Sequence, residues 1–78
     1  MLIDMGTTIR TKEYKVFIDR LKKARHEAGL KQIDVASKFK RPQSYIARVE
    51  SGEYRIDVIE LKKFAKIYGK ETNYFLKD

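Results

Sequence analysis

The stretch from Gln32 to Gly52 constrains the fold of this chain more than any other. It reads QIDVASKFKRPQSYIARVESG and contains two short segments with a helical apolar pattern, separated by a few residues and closed by a glycine. In the first segment Ala36 is small enough to let two helices cross closely. Two short helices joined by so tight a connection predict a helix-turn-helix arrangement.

The second segment of this motif has two different faces when each residue is turned by about 100° around a helix axis. Ile46 and Val49 lie together on one face, with Glu50 at its edge. The opposite face carries small and hydrogen-bonding side chains: Gln43 in the first turn, then Ser44, Ala47, Arg48 and Ser51. Small residues allow close approach to a surface, and amide and guanidinium groups can bond base edges in two places. This face suits the major groove of DNA; the alternative is an ordinary amphipathic helix with a solvated polar side.

The motif resembles the helix-turn-helix of the phage-repressor family, also called the Cro/C1 or XRE family, and the similarity runs from about residue 14 to 76. The residues that carry it are the GLKQ entry at 29–32, Ala36, the QS pair at 43–44, Ile46, Val49 and the ESG ending at 50–52. The resemblance implies an all-α fold, a compact five-helix lambda-repressor-like DNA-binding domain. In such a domain the second helix crosses the DNA backbone and the third lies in the major groove.

Specific DNA contacts can be expected for individual residues of the motif and its surroundings. By resemblance, base contacts are expected at the third helix: Gln43, Ser44 and Arg48, with Ala47 between them. Gln32 is implied to contact a phosphate and to brace Gln43. Contacts to the DNA backbone are predicted for these side chains: Gln32, Lys38, Arg41, Tyr45 and Arg55.

Three residues depart from the family pattern at the turn and at the helix starts. Lys40 stands where the family usually has a glycine, so a bulky residue is expected at positive φ, which is uncommon. Pro42 replaces a Ser or Thr N-cap and supplies no capping oxygen. Lys31 likewise stands at a usual cap position.

Arg25 lies within an otherwise apolar stripe. The stripe belongs to a first helix predicted from a cap at Thr11 to about Ala28, and its other members are Tyr14, Phe17, Ile18, Leu21, Ala24 and Ala28. An unpaired buried charge is costly. We therefore expect a structural ion pair between Arg25 and Glu50, which the family commonly has; the alternative is that Arg25 extends to solvent.

The C-terminal third of the chain predicts two more helices. Asp57 and Glu60 have the spacing of a capping box at the start of the fourth helix, and Ile56 is placed to pack on Leu61. The predicted core stripe of that helix is Val58, Leu61, Phe64, Ala65 and Tyr68. A short fifth helix is predicted near 72–77. A dimer interface is predicted at Ile67, Tyr74, Phe75 and Leu76.

Domain organisation follows from these segments. Residues 1–10 lack a helical period and are predicted to be a loose N-terminal arm. Residues 11–78 are predicted to form one helix-turn-helix domain, with the motif at 32–52.

Charge and composition narrow the class of protein. The net charge is +7, from 18 Lys and Arg against 11 Asp and Glu, with the excess in the motif and the N-terminal part. This favours a polyanionic partner, although a solvated basic surface is the alternative. The absence of cysteine excludes disulfides and thiolate metal sites, and no apolar run approaches the ~20 residues of a membrane span. We expect a soluble, cytoplasmic protein.

The sequence contains no nucleophile placed beside a base, no phosphate-binding glycine loop and no metal-ligand spacing. We therefore expect neither an enzyme nor a metal or cofactor site. The predicted function is sequence-specific binding of a palindromic double-stranded DNA operator by a homodimer that acts as a transcriptional repressor. The alternatives are an antitoxin with a toxin partner, a restriction-modification controller protein, and a protein-interaction module without DNA binding. A membrane-surface role is not expected, because the apolar stripes are needed for the core.

Overall fold

The computed structural model describes residues 11–77, which form five helices and, within that range, no strand. The helices are α1 (Lys12–Glu27), α2 (Gln32–Phe39), α3 (Gln43–Glu50), α4 (Val58–Tyr68) and α5 (Thr72–Leu76). The all-α, five-helix prediction is confirmed. The predicted arm at 1–10 lies outside the described residues. No helix within 11–77 is long and apolar enough to cross a membrane.

Side-chain caps explain where two of the helices begin. The Thr11 hydroxyl accepts a hydrogen bond from the Tyr14 amide at 3.2 Å, at the start of α1. At the start of α4, the Glu60 amide donates to the Asp57 carboxylate and the Asp57 amide donates to the Glu60 carboxylate, both at 2.8 Å. The predicted capping box is therefore present. Such caps each stabilise a helix by about 1 kcal/mol.

The turn between α2 and α3 has the backbone conformation that the sequence predicted. Lys40 lies in the left-handed region at φ 59°, and it is the only non-glycine residue with positive φ among residues 11–77. The Lys40 amide donates to the Ser37 carbonyl at 3.2 Å, and the Arg41 amide donates to the Ala36 carbonyl at 3.0 Å. These bonds close the end of α2 and hold the following segment in place. Pro42 then precedes α3 in an extended conformation and offers no side-chain cap.

The core is made from the apolar faces of all five helices. Its fully buried side chains include Leu21, Val35, Ile46, Val49, Phe64 and Phe75. Phe39 of α2 packs against Phe64 of α4, with ring centroids 4.5 Å apart, and against Tyr45 of α3 at 5.6 Å. This aromatic group fixes the helix-turn-helix onto α4.

Two residues of the predicted apolar stripes lie outside the core. Val58 is 65% exposed, because it is the first residue of α4 and precedes the turn that packs inward. Ala28 is also exposed, since α1 has already ended at Glu27. The helical period therefore extended the α1 stripe one residue too far at its C-terminal end and the α4 stripe one residue too far at its N-terminal end.

Candidate nucleic-acid interface

Helix α3 packs into the core with one face and exposes the opposite face to solvent. Ile46 and Val49 are completely buried. On the other side Gln43, Ser44 and Arg48 are exposed, and Ala47 is half-buried between them. The residues predicted to contact bases therefore share one accessible surface on a helix whose opposite face is fixed in the core.

A buried ion pair ties α1 to the end of α3. The Arg25 Nε lies 2.7 Å from Glu50 Oε2, and Arg25 Nη2 donates to Glu50 Oε1 at 3.1 Å. A third guanidinium nitrogen, Nη1, donates to the Leu30 carbonyl at 3.0 Å. Arg25 is 8% exposed and Glu50 is 5% exposed. The side chain is therefore paired as predicted and does not extend to solvent.

Two glutamines connect this ion pair to the start of α3. The Gln32 amide nitrogen donates to Glu50 Oε1 at 3.0 Å, and the Gln43 amide nitrogen donates to Gln32 Oε1 at 3.4 Å. We call these four residues (Arg25, Glu50, Gln32 and Gln43) the Arg25 network. It runs from the buried core, through the half-buried Gln32, to the exposed first residue of α3.

Arg48 is held by a second group of residues, on the surface. Its Nη1 donates to the Tyr54 hydroxyl at 3.0 Å, and its Nε lies 3.9 Å from a Glu53 carboxylate oxygen. The guanidinium also lies 5.7 Å from the centre of the Tyr54 ring. We call Arg48, Tyr54 and Glu53 the Arg48 cluster. Sequence reasoning missed Tyr54, which lies two residues after Gly52 of the ESG ending.

The loop that carries Tyr54 is attached to α1 through Tyr14. The Tyr14 hydroxyl donates to the Tyr54 carbonyl at 3.4 Å and accepts from the Ile56 amide at 3.3 Å. The Arg55 guanidinium lies 4.7 Å above the Tyr14 ring. Burial raises the pKa of the Tyr14 hydroxyl above its ordinary value. The loop after α3 is thus positioned by two main-chain groups and one stacked side chain.

The residues predicted to contact the DNA backbone fall into two groups. Lys38, Arg41 and Arg55 are exposed, and Gln32 is half-buried. Tyr45 is different: it is 7% exposed and its hydroxyl donates to a Glu60 carboxylate oxygen at 2.9 Å. The prediction for Tyr45 is corrected accordingly, because its ring belongs to the core and its hydroxyl already has a partner.

Tyr45 nevertheless supports one of the exposed cations. The Arg41 guanidinium lies 4.3 Å above the Tyr45 ring, and its Nη2 is 3.9 Å from Glu60. Burial, followed by the hydrogen bond to Glu60, raises the pKa of Tyr45 to about 12. Arg41 is therefore kept close to the start of α3 by a stacked ring and a carboxylate.

The four residues predicted to form the dimer interface differ in exposure. Phe75 is 1% exposed and packs in the core, where its ring is 6.4 Å from that of Phe17, so the prediction that it lies in a surface interface is corrected. Ile67 and Tyr74 are half-buried against the core, and only Leu76 of the four is well exposed. Leu76 borders an apolar groove between α1, the start of α4 and α5, which exposed Val16 and Val58 also line.

Among residues 11–77, no group of His, Cys, Asp and Glu side chains is placed to hold a metal ion. His26, the single histidine of the chain, is exposed near the end of α1. The concentration of hydrogen-bonding side chains is instead found on and around α3.

Comparison with known proteins agrees with this geometry. The model of the helix-turn-helix family matches residues 21–75. A solved structure described as an XRE-family like protein from Pseudomonas syringae pv. tomato str. DC3000 is similar to this chain, with a TM-score of 0.79 and 36% sequence identity. The similarity covers 90% of this chain and 85% of that one. No curated protein matches the chain. The chain belongs to the XRE family of helix-turn-helix DNA-binding regulators.

Proposed function

We propose that this protein recognises a specific duplex DNA sequence as a homodimer and represses transcription from promoters that contain it. The observation that carries the proposal is the polar outer face of α3, whose Gln43 and Arg48 side chains each donate a hydrogen bond to a residue outside α3. A helix with a fixed inner face and positioned outer side chains can present the same set of donors to every DNA molecule that it meets.

In this proposal the outer face of α3 reads base edges. Gln43 can form two hydrogen bonds with an adenine, and Arg48 can form two with a guanine. Ser44 can bond either, and Ala47 allows close approach or contacts a thymine methyl group. These four residues account for the direct reading of a half-site by one protomer.

Other side chains contact phosphates and position the domain. We assign this role to Gln32, Lys38, Arg41 and Arg55, and no longer to the buried Tyr45. Lys38 and Arg41 precede α3, whereas Arg55 follows it. Phosphate contacts on both flanks fix the orientation of a helix in the groove without contributing sequence information.

The small size of the reading surface supports the proposed homodimer. α3 has eight residues, so it is about 12 Å long and spans only a few base pairs. Two copies related by a dyad would read half-sites roughly 34 Å apart, which is one turn of DNA. We place the dimer contact at the groove beside α5, where Leu76, Val16 and Val58 expose apolar surface that a second copy could cover.

The experiment that tests this function is selection from a pool of randomised DNA duplexes with the purified protein, followed by sequencing, at two salt concentrations. The expected result is a palindrome with half-sites one turn apart, enriched at both salt concentrations. Weak binding without an enriched sequence, lost steeply as salt rises, would mean that only the basic surface acts. Repression is then measured by placing the selected sequence across a promoter and comparing transcription with and without the protein.

Variants separate the parts of the proposal. Gln43→Ala is expected to relax the selected sequence at one position of each half-site, and Lys38→Ala is expected to weaken binding to all sequences alike. Leu76→Glu is expected to convert a dimer into a monomer in sedimentation and to abolish the preference for paired half-sites. A monomeric wild-type protein that binds a single half-site would contradict the dimer and leave base reading intact.

A further inference from the structure

The side chain of Arg48 has two partners in the protein without DNA. One of its terminal nitrogens donates to the Tyr54 hydroxyl at 3.0 Å, and the Nε lies 3.9 Å from a Glu53 oxygen. An exposed arginine at the surface ordinarily samples many rotamers. Here two residues of the loop after α3 contact the side chain and favour one region of its rotamers.

The two restraining residues are themselves fixed to Arg48 through the main chain. The amides of Glu53 and Tyr54 both donate to the Arg48 carbonyl oxygen, at 2.9 Å and 3.2 Å. The Tyr54 ring lies 6.0 Å from the buried Tyr45 ring, and the Tyr54 carbonyl accepts from Tyr14 of α1. The loop therefore folds back on the same residue whose side chain it contacts, and it is hydrogen-bonded to both α1 and α3.

This arrangement bears on which DNA atoms Arg48 contacts. An arginine beside DNA can bind phosphate oxygens, which carry charge and no sequence information, or base edges, which identify the sequence. A guanidinium has five N–H donors; one is used by Tyr54, which leaves several for a base. The Glu53 carboxylate beside it repels phosphate, so a phosphate contact by Arg48 is disfavoured more than a base contact.

We propose that Tyr54 and Glu53 determine the specificity of Arg48: Tyr54 orients the guanidinium toward the groove, and Glu53 keeps it away from the phosphates. This inference rests on the proposed function, in which Arg48 reads a base. Tyr54 is a positioning residue, because it acts through Arg48. Glu53 supplies the repulsive element that specific recognition often requires in addition to attractive contacts.

The first test needs no DNA. The heteronuclear NOE of the Arg48 Nε–Hε group is measured by NMR in the wild-type protein and in Tyr54→Phe, which removes only a hydroxyl from a partly exposed ring and leaves the fold intact. The expected result is an ordered Nε in the wild type that becomes mobile in the variant. An Arg48 Nε equally mobile in both proteins would overturn the inference.

The second test measures binding to the duplex selected from the random pool and to a scrambled duplex of the same composition. Tyr54→Phe is expected to weaken binding to the selected duplex about three- to tenfold, the effect of losing the order of one flexible side chain, with little change for the scrambled duplex. In an Arg48→Ala background the same substitution should have no effect. An equal loss with and without Arg48 would mean that Tyr54 contacts DNA by itself, and would refute a role through Arg48.

The role of Glu53 is tested with Glu53→Gln, which removes a charge and keeps the shape. Binding to the scrambled duplex is expected to strengthen more than binding to the selected duplex, so that the ratio of the two affinities falls. Glu71→Gln, which removes the same charge at the start of α5, is the matched control and should leave that ratio unchanged. A ratio unchanged by Glu53→Gln would overturn the role of Glu53.

The result with the wild-type protein separates failure of the proposed function from failure of the inference about Tyr54 and Glu53. If it selects no sequence, the proposed function fails and the assignment of Arg48 to a base fails with it. If it selects a sequence but the ratio of affinities is insensitive to both loop substitutions, base reading stands and only the inference about Tyr54 and Glu53 is lost.

Discussion

The Arg25 network and the Arg48 cluster both position a side chain on the outer face of α3, and they do so in different environments. The Arg25 network begins at a buried, doubly hydrogen-bonded ion pair and reaches the surface only at Gln43. The Arg48 cluster lies on the surface, where its ion pair is 3.9 Å long and both partners are more than half exposed. Breaking the first is therefore expected to lower folding stability, whereas the proposed function gives the second a role in binding.

The largest effect is expected when the buried ion pair of the Arg25 network is broken. Glu50→Ala leaves the Arg25 guanidinium buried without its partner, and breaking a buried pair in this way costs about 3–5 kcal/mol. We expect a corresponding loss in the free energy of unfolding, measured by urea denaturation.

Glu53→Ala is the matched control on the exposed side. A surface ion pair contributes about 0–1 kcal/mol, so the unfolding curve should hardly move. Equal destabilisation by the two substitutions would show that burial does not distinguish the Arg25 network from the Arg48 cluster.

The next effect concerns binding alone. Arg48→Ala is expected to cost about 1–3 kcal/mol in binding to the selected duplex and to relax base preference at one position. Because Arg48 is exposed, the free energy of unfolding should stay within about 0.5 kcal/mol of the wild type. Equal losses of affinity for selected and random DNA would show that Arg48 contacts phosphate and does not read a base.

A smaller effect is expected at Tyr45, which is buried like Glu50 but uncharged. Tyr45→Phe removes the hydrogen bond to Glu60 and should lower the free energy of unfolding by about 1 kcal/mol at neutral pH. The affinity for random DNA should not change, because the hydroxyl points to Glu60. A loss of DNA affinity without a loss of stability would restore Tyr45 as a phosphate contact.

Tyr45 also gives a pH dependence with a definite sign. Its pKa is raised in the folded protein from the ordinary value of 10.0 to about 12, so folding favours the protonated phenol. This contribution to stability is complete below pH 10 and is lost as pH rises through about 12. In denaturation curves at pH 9 to 12, Tyr45→Phe should lose stability less steeply than the wild type.

Much of the fold was predictable because the signals are local. Helix caps such as Asp57 and Glu60 are three residues apart, and the apolar stripes follow a fixed helical period. The Arg25–Glu50 pair was also predictable, although the residues lie far apart in the chain. An arginine within an apolar stripe requires a partner, and a single carboxylate lay at the edge of the facing stripe.

The errors and omissions have physical causes. Tyr45 lies four residues before Val49 and therefore on the same face; the helical period indicated burial, and the prediction of a phosphate contact went against it. The role of Tyr54 could not be predicted from a helical period. Its position depends on the path of a loop that is held by Tyr14, a residue 40 positions earlier, and no local pattern in a sequence encodes such a contact.

The smallest expected effect lies in the turn on which the Arg25 network and the Arg48 cluster both depend. Lys40 has φ 59°, a conformation that costs a non-glycine residue about 1–2 kcal/mol, whereas glycine adopts it without steric strain but loses about 0.5–1 kcal/mol through chain entropy. Lys40→Gly is therefore expected to raise the free energy of unfolding by up to about 1 kcal/mol. Lys40→Ala, which removes the same charge and keeps the strain, is the control and should leave stability nearly unchanged.

If the α2–α3 turn only connects the helices, both variants will show the same small loss of affinity for selected and random DNA, from the missing charge alone. A change in the selected sequence with glycine but not with alanine would show instead that the strained turn sets the angle at which α3 enters the groove, and that the side-chain contacts of Gln43 and Arg48 operate within limits fixed by one backbone conformation.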